Sequence, residues 1–324
     1  MTEAGEAGIA PPRVILMTGT VPASVVEVVR SLVPKADVRY YPNHAALEEV
    51  VEEADVVATD VLSPDALARA KRLKWVQSWS AGPDALLFPE MIDSPVMLTS
   101  CKGNGAVPLA EHALMLLLML DREAARSLRA QSERRWDRFY HGELNGRTCG
   151  IIGTGHAGID LAGKLRAFHM RVLGLRRREE AQPAFDRIYR QDELHAFLGR
   201  CDAVVVTAPL TDSTRGMLDA DAFAAMKDSS LYVCISRGRI ADDAALLDAL
   251  RTGKLAGAGL DAHGLEPLDP ASPFWGLPNV IVTPHHGALT SATRRRGHEI
   301  FLDNLQRFLR GAPLRNVVDK LNGY

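Results

Sequence analysis

Thr-Cys-Gly-Ile-Ile-Gly-Thr-Gly-His-Ala-Gly, residues 148–158, is the stretch around which this chain of 324 residues is organised. Its apolar start, Cys149–Ile152, predicts a short strand that runs directly into glycines at G-x-G-x-x-G spacing. An amphipathic run at helical spacing follows, and then a second strand-like segment, Val172–Leu175. Strand, glycine turn, helix and second strand together make a β-α-β unit of about the length that a dinucleotide-binding fold needs.

The three glycines of this motif have different expected roles. Gly153 allows the tight turn, Gly155 leaves room for a pyrophosphate to approach the backbone, and Gly158 lets the helix lie close to the strand. The free N–H groups at the helix start, at His156 and Ala157, then face the phosphates together with the positive end of the helix. The sequence therefore predicts a dinucleotide site, and the alternative is a chance glycine-rich turn.

Three arginines at the end of the second strand bear on which dinucleotide is bound. A site for NAD usually carries Asp or Glu there, which accepts a hydrogen bond from the ribose 2′-OH. This chain has Arg176, Arg177 and Arg178, and guanidinium groups bind a 2′-phosphate that a carboxylate would repel. We expect a preference for NADP(H), with NAD(H) possible. The alternative is a solvated basic start to the loop that continues with Glu179 and Glu180.

Composition excludes several classes of protein. The chain is 47% hydrophobic and 24% charged, as in soluble globular proteins, and its net charge of −2 points to neither nucleic acid nor an acidic membrane surface. The longest apolar run, Ala113–Leu120, is far short of the roughly 20 residues of a membrane span. The four cysteines are scattered, which favours a reducing compartment. The start, Met1 to Pro12, resembles a loose tail more than a signal peptide, so we expect a cytoplasmic location. No cluster has convincing metal-ligand spacing, so no metal is expected.

Alternating strand-like and helix-like segments predict an α/β protein with parallel sheets. In the first part, five short strands lie within residues 13–98, but no glycine motif follows the first of them. Pro108–Arg129 is predicted to be one long helix that leads to the dinucleotide-binding part, and that part has six candidate strands between Cys149 and Thr283. A last helix, Ser291–Leu309, is expected to return to the first domain. The expected domains are therefore a discontinuous substrate domain, residues 1–107 and 290–324, and a dinucleotide-binding domain, residues 108–289.

Polar residues that follow the late strands suggest the chemistry. Arg237 follows the strand at 231–235, Glu266 lies five residues after Asp261 at the end of the next strand, and His285 follows the last. Ligands of open α/β sheets bind at the carboxyl ends of strands, so we expect these side chains to share one crevice. A histidine, with a reference pKa of about 6.5, can give and take the proton of a carbonyl reduction, and Glu266 would orient its ring. Arg237 would polarise the carbonyl and bind an adjacent carboxylate, which predicts a small anionic 2-keto acid as substrate.

With these motifs, nearly the whole chain resembles the D-isomer-specific 2-hydroxyacid dehydrogenase family. The matching stretches are Leu144–Thr148 with the glycine motif, Thr207–Thr211, Ile235–Gly238, Gly259–Asp261, Glu266–Leu268 and Pro278–His285. The resemblance implies two doubly wound parallel-sheet (Rossmann-like) domains with a cleft between them, and an oxidoreductase that acts on small 2-keto or 2-hydroxy acids, with glyoxylate and hydroxypyruvate as leading substrates. It also implies a homodimer.

The family's functional residues fall on defined positions of this sequence. Its catalytic Arg, Glu and His fall on Arg237, Glu266 and His285, and its substrate-carboxylate loop falls on Ser80-Ala81-Gly82. Its aspartate that contacts the nicotinamide carboxamide falls on Asp261. Further expected cofactor contacts are Thr207, Pro209, Ile235, Ser236, His285 and Gly287.

Some positions depart from the family pattern and leave alternatives open. Ala262-His263 replaces a common Val-Phe, and His286-Gly287-Ala288 replaces an aliphatic residue followed by two glycines, so the substrate is less determined than the reaction. His285 is preferred over His286 as the acid because it follows Thr-Pro directly. A dinucleotide-sensing binding protein, like the family's corepressors, is the alternative function. The related formate dehydrogenase is disfavoured, since its pattern has Gln at the position of Glu266.

Overall fold

The computed structural model describes residues 11–177 and 181–323. The chain forms two compact units, the first made of residues up to Asn104 and from Thr290 onward, the second made of Gly105–Leu289. Each unit is built on one parallel sheet with helices between its strands, which confirms the predicted fold class. Across the described ranges, no helix has both the length and the apolar character that crossing a membrane requires.

The first unit has a five-stranded parallel sheet in the order β2-β1-β3-β4-β5. Its strands are β1 (Val14–Met17), β2 (Asp37–Tyr40), β3 (Val56–Ala58), β4 (Trp75–Gln77) and β5 (Met97–Thr99). Its helices are α1 (Ala23–Leu32), α2 (His44–Glu48), α3 (Pro64–Arg69), α4 (Pro89–Asp93) and α11 (Ser291–Leu309). The last helix packs on this sheet, because the ring of Trp75 lies 5.7 Å from that of Phe301 and 5.4 Å from that of Phe308.

The second unit has a seven-stranded parallel sheet in the order β12-β11-β10-β9-β6-β7-β8. Its strands are β6 (Thr148–Ile152), β7 (Arg171–Arg176), β8 (Arg187–Arg190), β9 (Ala203–Val206), β10 (Ser230–Cys234), β11 (Leu255–Leu260) and β12 (Val280–Val282). Its helices are α5 (Ala106–Asp121), α6 (Ala124–Ser132), α7 (His156–Ala167), α8 (Leu194–Leu198), α9 (Ala220–Ala225) and α10 (Asp243–Arg251). From β8 to β11 the order is that of a doubly wound dinucleotide fold, and β12 extends it by one strand.

Alternate residues of the central strands enter the two cores of the second unit. Ile151 packs into the core on one face of the sheet, whereas its neighbour Ile152 packs into the core on the other face. The same alternation holds for Val204 and Val205 in β9. Both faces are covered by helices, so these strands are continuous apolar runs in the sequence.

The prediction of one long helix over Pro108–Arg129 is wrong. The helix ends at Asp121, and Glu123 has φ +48°, in the left-handed region, before α6 begins. In a continued helix the Asp121 carbonyl oxygen would accept from the N–H four residues later, but it accepts from the Gly142 N–H at 3.1 Å. The side chain of Asp121 also accepts from Nη1 of Arg147 at 2.7 Å, so contacts from a later segment end this helix.

The prediction of six strands in the second unit is also wrong, because its described residues, 105–177 and 181–289, contain seven. β8 lies at the edge of the sheet, where β7 is its one partner in the part of the chain that the structure describes. Its four residues, Arg-Ile-Tyr-Arg, carry a weak apolar pattern. It forms because Tyr189 packs into the core beside Leu173 and Phe197, a tertiary contact that propensity does not contain.

Candidate active site

In the glycine turn after β6, two of the three glycines stand where a Cβ would not fit, and the third leaves open space. Gly153 has φ +99°, and a Cβ on it would lie 2.6 Å from the backbone nitrogen of Ala208. A Cβ on Gly158 would lie 2.2 Å from the Gly153 carbonyl oxygen, so only glycine lets α7 lie this close to the turn. A Cβ on Gly155 would meet nothing within 4 Å, which leaves open space beside the first turn of α7. That first turn, His156 and Ala157, offers the free N–H groups and positive helix end that suit a pyrophosphate.

Other predicted cofactor contacts lie at the carboxyl ends of strands next to this turn. The hydroxyl of Thr207, just after β9, donates to the Gly153 carbonyl oxygen at 2.6 Å. Arg176 ends β7, and Leu175 before it accepts from the Gly153 N–H at 2.9 Å, which places Arg176 beside the glycine turn. Arg177 is exposed, and Arg178 lies outside the described residues. Pro209, Ile235 and Ser236 follow β9 and β10, the next strands of the sheet.

Glu266 and His285 form a hydrogen-bonded pair. Nδ1 of His285 lies 2.7 Å from Oε2 of Glu266, and both side chains are 38% exposed. Burial acts to raise the pKa of the Glu266 carboxyl, but hydrogen bonds from the His263 N–H and from His285 outweigh it and lower that pKa. A carboxylate only accepts hydrogen bonds, so Nδ1 of His285 carries a hydrogen and Nε2 is the ring atom available to a ligand.

Arg237 and this pair come from neighbouring strands. Arg237 follows β10, Glu266 lies in the segment after β11, and His285 follows β12, three strands that are adjacent in the sheet. Arg237 is half-buried, and its Nη1 donates to the Ser236 carbonyl oxygen at 2.8 Å. The strand ends thus bring all three predicted catalytic residues to one edge of the sheet.

Asp261 is fully buried and is an acceptor for several surrounding groups. The Thr283 hydroxyl donates to Oδ1 at 2.6 Å, as does the His286 N–H at 3.0 Å, and the Gly287 N–H donates to Oδ2 at 2.9 Å. Nε2 of His112 lies 3.3 Å from Oδ1. Burial acts to raise the pKa of Asp261, but the hydrogen bonds from His112, Thr283 and Gly287 outweigh it and hold the pKa well below its ordinary value. Asp261 therefore fixes the turn that carries His285.

Sequence reasoning missed three residues of this network, namely His112, His263 and Thr283. His112 on α5 also contacts the Thr283 hydroxyl, at 3.1 Å, and Nε2 of His263 lies 2.9 Å from the Thr283 carbonyl oxygen. A histidine in an apolar helix is usually structural, so His112 gave no signal by itself. The replacement of a common Phe by His263 was visible in the sequence, as was the departure from the family pattern at His286-Gly287-Ala288, and both are signs of a local change.

The ligand atoms of His112, Asp261 and His286 lie within 4.8 Å of one another, a spacing that a metal ion could use. Both carboxylate oxygens of Asp261 already accept hydrogen bonds from Thr283 and from the turn at 286–287. A metal ion would have to displace these donors, which favours a structural role for the cluster.

The predicted substrate loop, Ser80-Ala81-Gly82, lies in the first unit. Ser80 and Ala81 are exposed, and Gly82 is half-buried. The Ser80 N–H is already engaged, since it donates to Oδ1 of Asp60 at 2.8 Å. Among the described residues, the N–H groups of Ala81 and Gly82 have no hydrogen-bond acceptor, so they are the two backbone donors of the loop that a ligand could use.

Comparison with known proteins identifies the class. A family model for the NAD-binding domain of D-isomer-specific 2-hydroxyacid dehydrogenases matches residues 114–287. A glyoxylate reductase of Korarchaeum cryptofilum is 30% identical over 298 residues, which cover 86% of this chain and 87% of that protein. A D-3-phosphoglycerate dehydrogenase of Archaeoglobus fulgidus is 31% identical over 82% of this chain, but this chain spans only 51% of its length.

A solved structure agrees with this result over the whole fold. It is the NADPH-dependent glyoxylate/hydroxypyruvate reductase of Sinorhizobium meliloti, solved with NADP and sulfate, and it is 31% identical to this chain with a TM-score of 0.83. The match covers 96% of this chain and 99% of the S. meliloti chain. The chain belongs to the D-isomer-specific 2-hydroxyacid dehydrogenase family. It is an NAD(P)-dependent oxidoreductase of that family, and the alternative of a sensing protein without turnover is not favoured.

Proposed function

We propose that this chain reduces a small anionic 2-keto acid with NADPH, with glyoxylate and hydroxypyruvate as the leading substrates. The observation that carries the proposal is the 2.7 Å contact between His285 and Glu266 in the unit that also holds the glycine turn. Two of the similar proteins are named as reductases of these acids, which supports the substrate class.

The proposed chemistry needs one proton and one electrophilic group from the protein. NADPH, when bound, supplies the hydride that forms the new C–H bond at the carbonyl carbon. His285 donates the proton from Nε2 to the carbonyl oxygen as negative charge develops there, and solvent later returns a proton to the ring. Glu266 holds Nδ1, so it orients the ring and keeps a negative charge beside the imidazolium form. Arg237 polarises the same oxygen and binds the neighbouring carboxylate.

The roles of the first unit follow from the family resemblance. In this proposal that unit is the substrate domain, and the Ala81 and Gly82 N–H groups bind the carboxylate of the acid. Ser80 contributes no donor from its backbone as long as Asp60 holds its N–H. In this proposal the second unit is the dinucleotide-binding domain. The family resemblance assigns Asp261 to the nicotinamide carboxamide, but this carboxylate is fully buried and already accepts from Thr283, His286 and Gly287, so it acts on the cofactor through the turn that it holds.

The direct test of the proposed function is to follow NADPH absorbance with purified protein and a panel of keto acids. Loss of absorbance with glyoxylate or hydroxypyruvate supports the proposal. Tight NADPH binding without turnover on any acid of the panel would contradict it and favour the sensing protein. Running the panel with NADH as well gives the cofactor preference from the same samples.

The preference for NADP(H) rests on Arg176 and Arg177, which stand at the end of β7 where a site for NAD usually has a carboxylate. The solved S. meliloti relative contains NADP, which is consistent with this assignment. We expect Arg176→Asp to lower kcat/KM for NADPH roughly 10- to 100-fold, because it removes a charge-assisted hydrogen bond to the 2′-phosphate and adds repulsion. Kinetics with both cofactors measure the change.

Arg171 offers the matched control, since it is exposed and begins the same strand at the opposite end. Arg171→Asp makes the same charge reversal and leaves the ratio of kcat/KM for NADPH and NADH unchanged. If Arg176→Asp left this ratio at its wild-type value, Arg176 would not contact the 2′-phosphate.

A homodimer is part of the proposal, and two exposed aromatic side chains support it. Trp136 is 91% exposed and Tyr140 is fully exposed, in a segment without regular structure between α6 and β6. Large exposed aromatic rings are typical of protein interfaces, and a second copy of this chain would cover them. Light scattering should give a mass twice that of the 35.3 kDa chain, and a monomer at micromolar concentration would contradict the dimer. The cytoplasmic location stays a prediction.

A further inference from the structure

His263 makes hydrogen bonds to two separate segments at the edge of the sheet. Its backbone N–H donates to Oε1 of Glu266 at 2.9 Å. Its ring Nε2 lies 2.9 Å from the carbonyl oxygen of Thr283. A carbonyl oxygen only accepts, so Nε2 carries the hydrogen in this contact. One residue thus holds Glu266 by its backbone and the segment before His285 by its side chain.

Thr283 fixes the start of the turn that carries His285. Its N–H donates to the Leu260 carbonyl oxygen at 2.9 Å, and its hydroxyl donates to Asp261 at 2.6 Å. The bond from His263 engages its remaining polar group, the carbonyl oxygen. All three polar groups of this residue are therefore held by residues 260–263, the last residue of β11 and the three that follow it.

His285 itself has a backbone conformation that needs such support. Its φ is +51°, in the left-handed region that residues with a Cβ adopt at a cost. Such a conformation persists where flanking residues are held in place. On one side the N–H groups of His286 and Gly287 are bound by Asp261, and on the other side the Thr283 carbonyl is bound by His263.

We infer that His263 is a positioning residue for the pair formed by Glu266 and His285. The His263 ring fixes the peptide plane after Thr283 and so directs the His285 ring toward Oε2 of Glu266. The backbone N–H of His263 holds the other carboxylate oxygen, Oε1. This inference rests on the proposed catalytic function of that pair. A phenylalanine, the residue common in the family at this position, fills similar space but cannot donate the bond.

Two substitutions separate the hydrogen bond from the packing of the ring. His263→Phe keeps an aromatic ring and loses the donor, whereas His263→Gln keeps an N–H donor at about the reach of Nε2. We expect His263→Phe to lower kcat for glyoxylate reduction about three- to tenfold, as the loss of one such bond implies, with KM for NADPH little changed. His263→Gln should restore kcat to near the wild-type value.

His195→Phe is the matched control, because His195 is an exposed residue of α8 and undergoes the same change of ring. The inference is overturned if His263→Phe keeps the wild-type kcat, or if the Gln and Phe variants lose the same amount. If the wild-type enzyme turns over but His285→Ala does so equally well, the proposed function of the pair has failed instead.

A second readout does not depend on turnover. The Nδ1 proton of His285, held by Glu266, should exchange slowly enough to give a proton NMR signal, which His285→Asn assigns by removing it. We expect the signal to persist in His263→Gln and to broaden in His263→Phe, because the ring is less well held. An equally sharp signal in all His263 variants would contradict positioning even in a protein that reduces none of the acids tested.

Discussion

Replacing His285 by asparagine should lower kcat for glyoxylate reduction about 10²- to 10⁴-fold, the range typical of a lost general acid, while the Kd for NADPH changes little. Nδ1 of His285 is held by Glu266 at 2.7 Å, so Nε2 is the atom that exchanges a proton with the substrate. Asparagine is chosen because φ at this position is +51°, a region that asparagine tolerates well. Steady-state kinetics and a binding titration measure the two effects.

Two further variants make the result specific. His285→Ala adds the backbone cost of alanine in the left-handed region, so its turnover matches that of the asparagine variant while its stability is lower. His286→Ala removes the neighbouring ring and leaves its N–H bond to Asp261 in place, so turnover stays near that of the wild type. A severe loss of turnover in His286→Ala together with normal turnover in His285→Asn would show that His286, and not His285, donates the proton.

The parts of the fold that sequence predicted are those that local pattern encodes. The glycine turn is one example, since the φ of Gly153 and the close approach at Gly158 follow from having no Cβ there. The strand of β9 is another, because four consecutive apolar residues fit a strand buried on both faces. The end of α5 was not predictable, because the Gly142 N–H that binds the Asp121 carbonyl comes from 21 positions later, and no glycine or proline marks the break.

The candidate site shows the same division. Arg237, Glu266 and His285 could be proposed because each follows a recognisable strand, and strand ends meet at one edge of a parallel sheet. The residues that hold these three side chains in place could not be proposed from the sequence. His112 and Thr283 are 171 positions apart, and His263 reaches Thr283 across 20 positions. Such contacts depend on the packing of α5 and on the direction of two loops, which no spacing rule contains.

Asp261→Asn should destabilise the protein by roughly 1–3 kcal/mol, because the buried carboxylate is surrounded by donors. It should also raise KM for NADPH, because Asp261 holds the turn that carries His285 and Gly287, two expected cofactor contacts. The Thr283 hydroxyl and the N–H groups of His286 and Gly287 all point at it. An amide turns one of the two acceptor oxygens into a donor and leaves at least one of these groups facing another donor. Urea unfolding measures the loss, and Asp248→Asn, an exposed change on α10, is the control that should leave the midpoint unchanged.

The pH dependence of this loss identifies its origin. The folded-state pKa of Asp261 lies below the ordinary value of 3.8, so the carboxylate contributes its full stability above that value and loses it as pH falls toward the folded pKa. Asparagine does not titrate. The difference in free energy of unfolding between wild type and Asp261→Asn should therefore be constant from pH 8 to about 5 and narrow below about pH 4. A difference that stayed the same at pH 7 and pH 3.5 would mean that the amide acts through its shape alone, and that the charge on Asp261 does not hold the turn.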